Sequence, residues 1–158
     1  MSFVRAKEYL KKFNLEDRIM EFMVSSKTVD EAALAINCRR EEIGKSLSFL
    51  VNDKPIIIVV SGDSKIDNSK YRKEFLTKAK MIPYDAVLKL IGHDVGGVCP
   101  FGVNNDVSVY LDVSLKKLAV VYPACGTSNS GVKLTVAELE KIGNIKKWVD
   151  VCKNVSER

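Results

Sequence analysis

Residues 45–63 read KSLSFLVNDKPIIIVVSGD and contain the two strands on which the fold depends. In the first half, Leu47, Phe49 and Val51 alternate with Ser46, Ser48 and Leu50, which is the period of a half-buried strand. In the second half, residues 56–60 form an unbroken β-branched run, typical of a central strand covered on both faces. Turn-forming residues 52–55 lie between the two runs. The stretch therefore predicts an antiparallel hairpin.

Helix signals flank this hairpin. Thr28 followed by Glu31 is a capping box, and Thr135 followed by Glu138 repeats it near the C-terminus. Each predicts that a helix follows. Asn68 is expected to cap a third, basic helix. Further strands are predicted over residues 107–111 and 118–122. Because strands and helices mix without strict alternation, the predicted fold class is α+β with a mixed, mainly antiparallel sheet.

The length and composition fit one globular domain spanning residues 1–158. No apolar run approaches the roughly 20 residues needed to span a bilayer. The first eight residues mix acidic and basic side chains and lack the apolar core of a signal peptide. The sequence therefore predicts a cytoplasmic protein with no membrane partner.

Positive charge is concentrated in residues 65–80, which carry six basic and two acidic side chains, a local excess of +4 within a net charge of +5. Such a patch attracts polyanions. The alternative is an ordinary solvated helix face. The candidates for contact with a nucleic acid or other polyanion in this stretch are Lys70, Arg72, Lys73 and Lys78.

Several kinds of active site are excluded. The chain has no G-x-G-x-x-G or Walker loop and no G-x-S-x-G elbow. His93 is the single histidine, and no two of the four cysteines are spaced as a C-x-x-C pair, so we expect no metal and no cofactor. An enzyme built from these residues must work by positioning and backbone donors.

Three segments are candidates for that work. Lys45 is expected just before the first strand of the hairpin, where a solvated lysine is the alternative. In the loop of residues 96–102, the N–H groups of Gly96, Gly97 and Val98 could stabilise negative charge, and Pro100 stiffens the backbone. A tight structural turn is the alternative there. The third segment, residues 124–131, is either a polar pocket lining or a plain surface loop.

The order of these motifs resembles the YbaK/EbsC family, free-standing relatives of the editing domain of bacterial prolyl-tRNA synthetases. The resemblance runs from about residue 3 to residue 143. The segments that carry it are TVDEAA (28–33), EIGKSLSF (42–49), SGD (61–63), IGHDVGGVCPFG (91–102), VYLD (109–112), ACG (124–126) and LT (134–135).

This resemblance implies a sheet curled toward a barrel, and a hydrolase that removes a small amino acid, such as cysteine or alanine, from mischarged tRNA(Pro). It implies that Lys45 contacts the terminal adenosine region and that the loop from Gly96 to Pro100 holds the substrate carbonyl. It also implies that a 2′-OH of the terminal ribose helps to activate water. The expected partner is the acceptor end of aminoacyl-tRNA, with an aminoacyl-tRNA synthetase as a second candidate.

The sequence departs from familiar members at positions that affect the choice of amino acid. Ser46, Cys99 and Cys125 replace other small residues and, with Pro100 and Gly126, are candidates for substrate binding. Asp112 is a candidate either for binding the substrate ammonium or for ordering a loop, and His93 is expected to be structural. Two alternative functions stay open: a module that binds tRNA or an aminoacyl-adenylate-like ligand without turnover, and a hydrolase of another small ester.

Overall fold

The structure is a computed structural model that describes residues 2–154. The helices are α1 (Ser2–Lys11), α2 (Val29–Ile36), α3 (Asn68–Phe75), α4 (Val87–Ile91) and α5 (Val136–Ile142). The strands are β1 (Ile19–Glu21), β2 (Ile43–Val51), β3 (Lys54–Ser61), β4 (Ser64–Ile66), β5 (Ser108–Asp112), β6 (Val120–Pro123), β7 (Ser130–Val132), β8 (Leu134–Thr135), β9 (Ile145–Val149) and β10 (Cys152–Asn154).

Six strands form one curled sheet in the order β8-β6-β2-β3-β5-β9, and β1 with β7 and β4 with β10 form two small ribbons. Within the described part of the chain, four strand pairings are antiparallel and three are parallel. The predicted α+β class with a mixed, curled sheet is confirmed.

Strand β3 is the centre of the core, as its β-branched run predicts. Ile57 and Val59 point to one face, where they pack in a cluster that includes residues of α1, α4 and α5. Ile56, Ile58 and Val60 point to the other face and pack in a cluster with residues of α3 and β9. Because both faces are covered, the strand needs apolar side chains at every position.

The local signals next to this strand form as predicted. Strands β2 and β3 pair antiparallel from Val51↔Lys54 to Gly44↔Ser61. The hairpin turn places Asn52 and Asp53 at φ +52° and +65°, which Asn and Asp tolerate well. Both threonines cap their helices, since Thr28 Oγ1 accepts from Glu31 N at 3.1 Å and Thr135 Oγ1 accepts from Glu138 N at 3.0 Å. The full box forms at Thr135, whose N–H donates to Glu138 Oε1 at 2.9 Å, whereas at Thr28 only the threonine half of the predicted box forms.

Two local predictions were wrong. Lys45 does not precede the strand but is its third residue, because β2 begins at Ile43. The cap of α3 is Asp67 rather than Asn68, since the Asp67 carboxylate accepts from Lys70 N at 3.1 Å. A charged oxygen at this position also interacts favourably with the positive end of the helix dipole.

Candidate functional site

A cleft lies beside the part of β2 whose outer edge pairs with no other strand. Strand β6 pairs with β2 only at Ile43↔Tyr122 and Gly44↔Pro123. A proline has no N–H to donate, so the parallel pairing ends at Pro123 and the two strands separate. The same edge of β2 is covered again only at Ser48, whose carbonyl oxygen accepts from Ile82 N at 3.2 Å. Between these two points the edge faces the cleft.

The cleft has a volume of about 360 Å³ and is built from six separate stretches of the chain. None of the described residues that line it is an Asp, Glu, His or Cys, and its two charged side chains are both lysines, Lys27 and Lys45. The cleft is therefore cationic, and its described lining offers no carboxylate, imidazole or thiol. The lining consists of residues 26–29, Ala32, Ile36, residues 43–48, Met81, Ile82, Tyr84, Val87, Val95, Gly96, Val98, residues 122–124, Ser130 and Gly131.

Lys45 lies in the cleft wall and is held in place. Its Nζ donates to the carbonyl oxygen of Ser64 at 2.6 Å. That carbonyl follows a tight turn in which Ser61 Oγ lies 2.7 Å from both Glu41 O and the Asp63 carboxylate. Burial lowers the pKa of Lys45. The predicted lysine thus presents a partly desolvated cation that uses one of its three N–H donors on the protein and leaves two for a ligand.

Two hydroxyl groups in the cleft have no hydrogen-bond partner among the described residues: Ser46 Oγ and Ser26 Oγ. Ser46 is a predicted substrate-binding residue. Along β2, Ser48 and Leu50 make backbone hydrogen bonds toward the outer edge, so the alternation of the strand also directs the N–H and C=O of Ser46 toward that edge. The two hydroxyl oxygens are buried just behind the cleft surface, whereas the backbone groups of Ser46 face its open edge and are suited to a polar ligand.

The glycine loop contributes only part of what the sequence predicts. Gly96 and Val98 line the cleft, and their backbone N–H groups have no hydrogen-bond partner within residues 2–154. Gly97 does not line it. Its N–H donates to Asp94 O at 3.0 Å, and its carbonyl accepts from Gly126 N at 3.0 Å. The prediction that the Gly97 amide receives the oxyanion therefore conflicts with the structure, which uses both backbone groups of Gly97 to join two loops.

The predicted residues Cys99, Pro100, Cys125 and Gly126 lie behind the cleft wall rather than on it. Both thiols are fully buried in the main core cluster. Burial raises the pKa of Cys125 to about 12 and raises that of Cys99 still further above its ordinary value. The two cysteines are therefore protonated core residues, and the prediction that they contact substrate conflicts with their position.

Asp112 and His93 both make hydrogen bonds that hold parts of the fold together. The Asp112 carboxylate accepts from Ser114 N at 2.9 Å and from Val151 N at 2.8 Å, and it lies outside the cleft. Of its two predicted roles, loop ordering fits the structure and ammonium binding does not. The His93 ring is buried, with Nδ1 2.7 Å from Ser2 Oγ and Nε2 2.6 Å from Phe101 O. Since a carbonyl can only accept, Nε2 carries the proton.

The predicted tRNA-binding residues lie on α3 and just after it, outside the cleft. Arg72, Lys73 and Lys78 are exposed, and Arg72 and Lys78 line a second cavity. Lys70 differs because its Nζ is 3.1 Å from both Asp150 Oδ1 and the carbonyl oxygen of Cys152. Lys70 therefore has less charge to offer a phosphate than the other three.

Sequence reasoning missed part of the cleft. Ser26 and Lys27 lie in a loop before α2 with no motif of their own, and Ser26 N donates to Ser128 O at 2.6 Å. Met81, Ile82 and Tyr84 enter the cleft because residues 80–82 attach to the edge of β2. These residues reach the cleft only because segments distant in the chain pair with one another, so no local sequence pattern predicts them.

Residues 2–154 show neither a membrane span nor a metal centre. None of the helices formed there has the length and apolar character needed to cross a bilayer. The described side chains also form no group of three or more His, Cys, Asp and Glu residues arranged to hold a metal ion.

Comparison with known proteins identifies the family to which this fold belongs. Residues 24–142 match the family of aminoacyl-tRNA editing domains. The uncharacterized protein YwhH of Bacillus subtilis (strain 168) is 46% identical over 155 residues, covering 98% of this chain and 99% of YwhH. A crystal structure of a proposed trans-editing enzyme for prolyl tRNA synthetase superposes with a TM-score of 0.86 at 27% identity, covering 97% of this chain and 98% of that one.

Proline–tRNA ligases are also similar. The ligase of Bacillus cytotoxicus is 23% identical over 126 residues, which are 79% of this chain but only 22% of the ligase. The chain thus corresponds to about a fifth of such an enzyme. It belongs to the aminoacyl-tRNA editing domain family, and the resemblance to YbaK-like proteins is confirmed.

Proposed function

We propose that this protein is a trans-editing deacylase, a free-standing cytoplasmic domain that hydrolyses the ester between a small amino acid and a mischarged tRNA. Cysteine or alanine on tRNA(Pro) is the first substrate to test, because the family includes relatives of proline–tRNA ligases. The observation that carries the proposal is the cleft itself. It is cationic, free of carboxylates and lined by unpartnered hydrogen-bonding groups, which suits the anionic 3′ end of a tRNA.

In the proposed binding mode, the terminal aminoacyl-adenosine enters the cleft along the open edge of β2. The ammonium group of Lys45 contacts the terminal phosphate or adenosine, since two of its donors are free for ligand. The hydroxyl and outward-facing backbone groups of Ser46 bind the ribose or the amino acid. The free N–H groups of Gly96 and Val98 are the candidates for stabilising the oxyanion, in place of Gly97.

The proposed chemistry uses the substrate as its own base. The lining described above offers no carboxylate or imidazole to take a proton from water. As the family resemblance implies, the neighbouring 2′-OH of the terminal ribose helps to activate the attacking water. Water adds to the ester carbonyl carbon, and its proton passes through the 2′-OH to the ribose 3′ oxygen as the bond from that oxygen to the carbonyl carbon breaks. The products are the free amino acid and tRNA with both ribose hydroxyls restored.

A deacylation assay tests the proposal. tRNAs carrying labelled cysteine, alanine, serine or threonine are incubated with the protein, and release of the amino acid is followed. A matched tRNA(Pro) that ends in 2′-deoxyadenosine, with the amino acid on the 3′ oxygen, tests the mechanism. Loss of the assisting hydroxyl is expected to lower the rate by about 100- to 10,000-fold, the usual contribution of a positioned base.

Two outcomes would contradict the proposal in different ways. Tight binding of aminoacyl-tRNA with no turnover of any of the four substrates would indicate a binding module. Equal hydrolysis of aminoacyl-tRNA and of a simple amino acid methyl ester would indicate a hydrolase of small esters that does not recognise tRNA.

A further inference from the structure

An exposed aromatic side chain stands at the rim of the cleft. Tyr84 lines the cleft and yet is 73% exposed. Two neighbours along the chain are also apolar and exposed, Met81 at 59% and Leu88 at 52%. Leu88 follows Tyr84 by four residues, so the two side chains project from the same side of this helical segment. An exposed apolar patch next to a binding cleft is typical of an interaction site.

The backbone beneath this patch is fixed. Ile82 N donates to Ser48 O at 3.2 Å, and Ala86 N donates to Pro83 O at 2.9 Å. Ile82 and Val87 are buried in the core cluster and anchor the segment on either side of Tyr84. The fold therefore presents the Tyr84 ring to solvent on a rigid support, and the ring adds little to the core.

The charges around the ring indicate what it would contact. The cleft beside it contains Lys27 and Lys45 and no lining carboxylate. Lys78 and Lys80, both exposed, lie in the segment that leads to Met81. An aromatic ring at the rim of a cleft whose charged side chains are lysines suits an unpaired nucleobase with its phosphates, because bases stack on aromatic side chains while lysines contact the backbone. The exposed Asp85, next to Tyr84 in the chain, is the acidic exception among these neighbours. A neutral apolar peptide would gain nothing from the lysines.

The size of the cleft indicates which nucleobase of the bound strand would contact Tyr84. At about 360 Å³ it lies near the lower end of the ~300–1,000 Å³ typical of small-molecule pockets. One aminoacyl-nucleoside is a ligand of the size that such a pocket takes. With the terminal adenosine in the cleft, the preceding nucleotide lies toward its rim, where Tyr84 stands.

We infer that Tyr84, flanked by Met81 and Leu88, is a stacking platform for the nucleobase next to the terminal adenosine of the tRNA acceptor end. This inference rests on the proposed function and adds a subsite to it. The platform positions the strand so that the terminal ribose and its ester enter the cleft. It recognises the flat face of a base and is therefore tolerant of which base stands there.

A double-mutant cycle tests the platform directly. Binding is measured for an uncharged acceptor-stem minihelix ending in CCA, and for the same minihelix with an abasic site next to the terminal adenosine. The proteins are the wild type, Tyr84→Leu, which keeps an apolar side chain without a ring, and Tyr84→Phe, which keeps the ring. Fluorescence of 2-aminopurine at the same position reports stacking separately from affinity.

Tyr84→Leu is expected to weaken binding of the normal minihelix by about 5- to 150-fold, whereas Tyr84→Phe binds within about threefold of wild type. The abasic minihelix should lose the same factor with wild type and show no further loss with Tyr84→Leu. Quenching of 2-aminopurine should occur with the wild type and Tyr84→Phe and be absent with Tyr84→Leu.

The platform would be overturned if the abasic site and Tyr84→Leu each weakened binding independently, or if Tyr84→Leu bound with unchanged affinity. The proposed function would survive either result as long as the wild type binds and deacylates aminoacyl-tRNA. A dimer that Tyr84→Leu dissolves, with minihelix affinity unchanged, would assign the patch to self-association instead. No binding or deacylation by the wild type would overturn the proposed function and the platform together.

Discussion

Replacing Gly97 by alanine would drive a Cβ atom into the carbonyl carbon of Gly126 and the amide nitrogen of Thr127, both well inside the 3.0 Å that Cβ atoms respect. The colliding atoms are backbone, so no rotamer change relieves the clash. One of the two loops must move, and the hydrogen bond from Gly126 N to Gly97 O must lengthen or break. The substitution thus tests whether Gly97 is structural or catalytic.

The expected cost can be worked out from these distances. Forcing an extra methyl group into a well-packed site costs about 1–3 kcal/mol, and the broken hydrogen bond adds about 0.5–1.5 kcal/mol. The free energy of unfolding should therefore fall by roughly 1.5–4.5 kcal/mol. For a chain of this size, that corresponds to a fall in Tm of roughly 5–15 °C. Deacylation should decline only in proportion to the folded fraction.

Gly96→Ala is the matched control, because Gly96 lines the cleft one residue away. Its φ of +92° strains an alanine, but the nearest atoms are Ser128 Cβ at 3.2 Å and Lys27 Cγ at 3.3 Å, both in side chains. We expect a smaller fall in Tm and a larger fall in single-turnover rate for Gly96→Ala than for Gly97→Ala.

Thermal unfolding and single-turnover deacylation, measured on both variants below their melting temperatures, separate the two roles. A Gly97→Ala protein with wild-type Tm and a rate lowered by about 100- to 1,000-fold, the usual cost of one oxyanion donor, would refute the structural reasoning. It would return Gly97 to the mechanism.

Three further predictions follow from individual groups. Lys45→Ala should lower kcat/KM for deacylation by at least about tenfold, since one charge-assisted hydrogen bond is worth roughly 1.5–3 kcal/mol; wild-type turnover in a folded variant would remove Lys45 from the site. Neutralising three exposed cations should make the slope of log K for tRNA binding against log salt concentration shallower, by up to about 0.9 for each phosphate that these cations neutralise in the wild type. Lys70→Ala should change the slope less, because Lys70 is already paired with Asp150. An unchanged slope would show that this helix face is only solvated and does not contact phosphates. These cations are Arg72, Lys73 and Lys78. Burial lowers the pKa of His93, so as the pH falls the unfolded chain takes up a proton near pH 6.5, before the folded chain does. The free energy of unfolding should therefore decrease below that pH, by up to about 1.4 kcal/mol per pH unit. If Tm between pH 8 and pH 5 depends on pH as strongly in His93→Gln as in the wild type, this reasoning is refuted.

The site shows where prediction from sequence reaches its limit. Lys45, Ser46, Gly96 and Val98 were predicted and do line the cleft. Gly97, next in the chain, faces Gly126 instead, because one loop packs against another and two glycines are needed for the close approach. The glycine-rich pattern does not predict which backbone amide forms a hydrogen bond within the fold and which remains available to a ligand.

The two cysteines of the predicted site show the same limit of prediction from sequence. A cysteine in a glycine-containing loop is compatible with a pocket wall or with the layer behind it, and only the tertiary structure places Cys99 and Cys125 in the core cluster. Asp112 is similar, since its carboxylate is consumed by amides from Ser114 and from Val151, 39 residues along the chain.

The sequence by itself determined the elements whose signals are local: the β2–β3 hairpin, the caps at Thr28 and Thr135, and the order of motifs that marks the family. Each rests on residues within a few positions of one another, so neighbours in the chain suffice to predict it. Only the tertiary structure decided the cleft. It exists because Pro123 ends one strand pairing, residues 80–82 begin another on the same edge, and the groups left unpaired between them come from segments far apart in the chain.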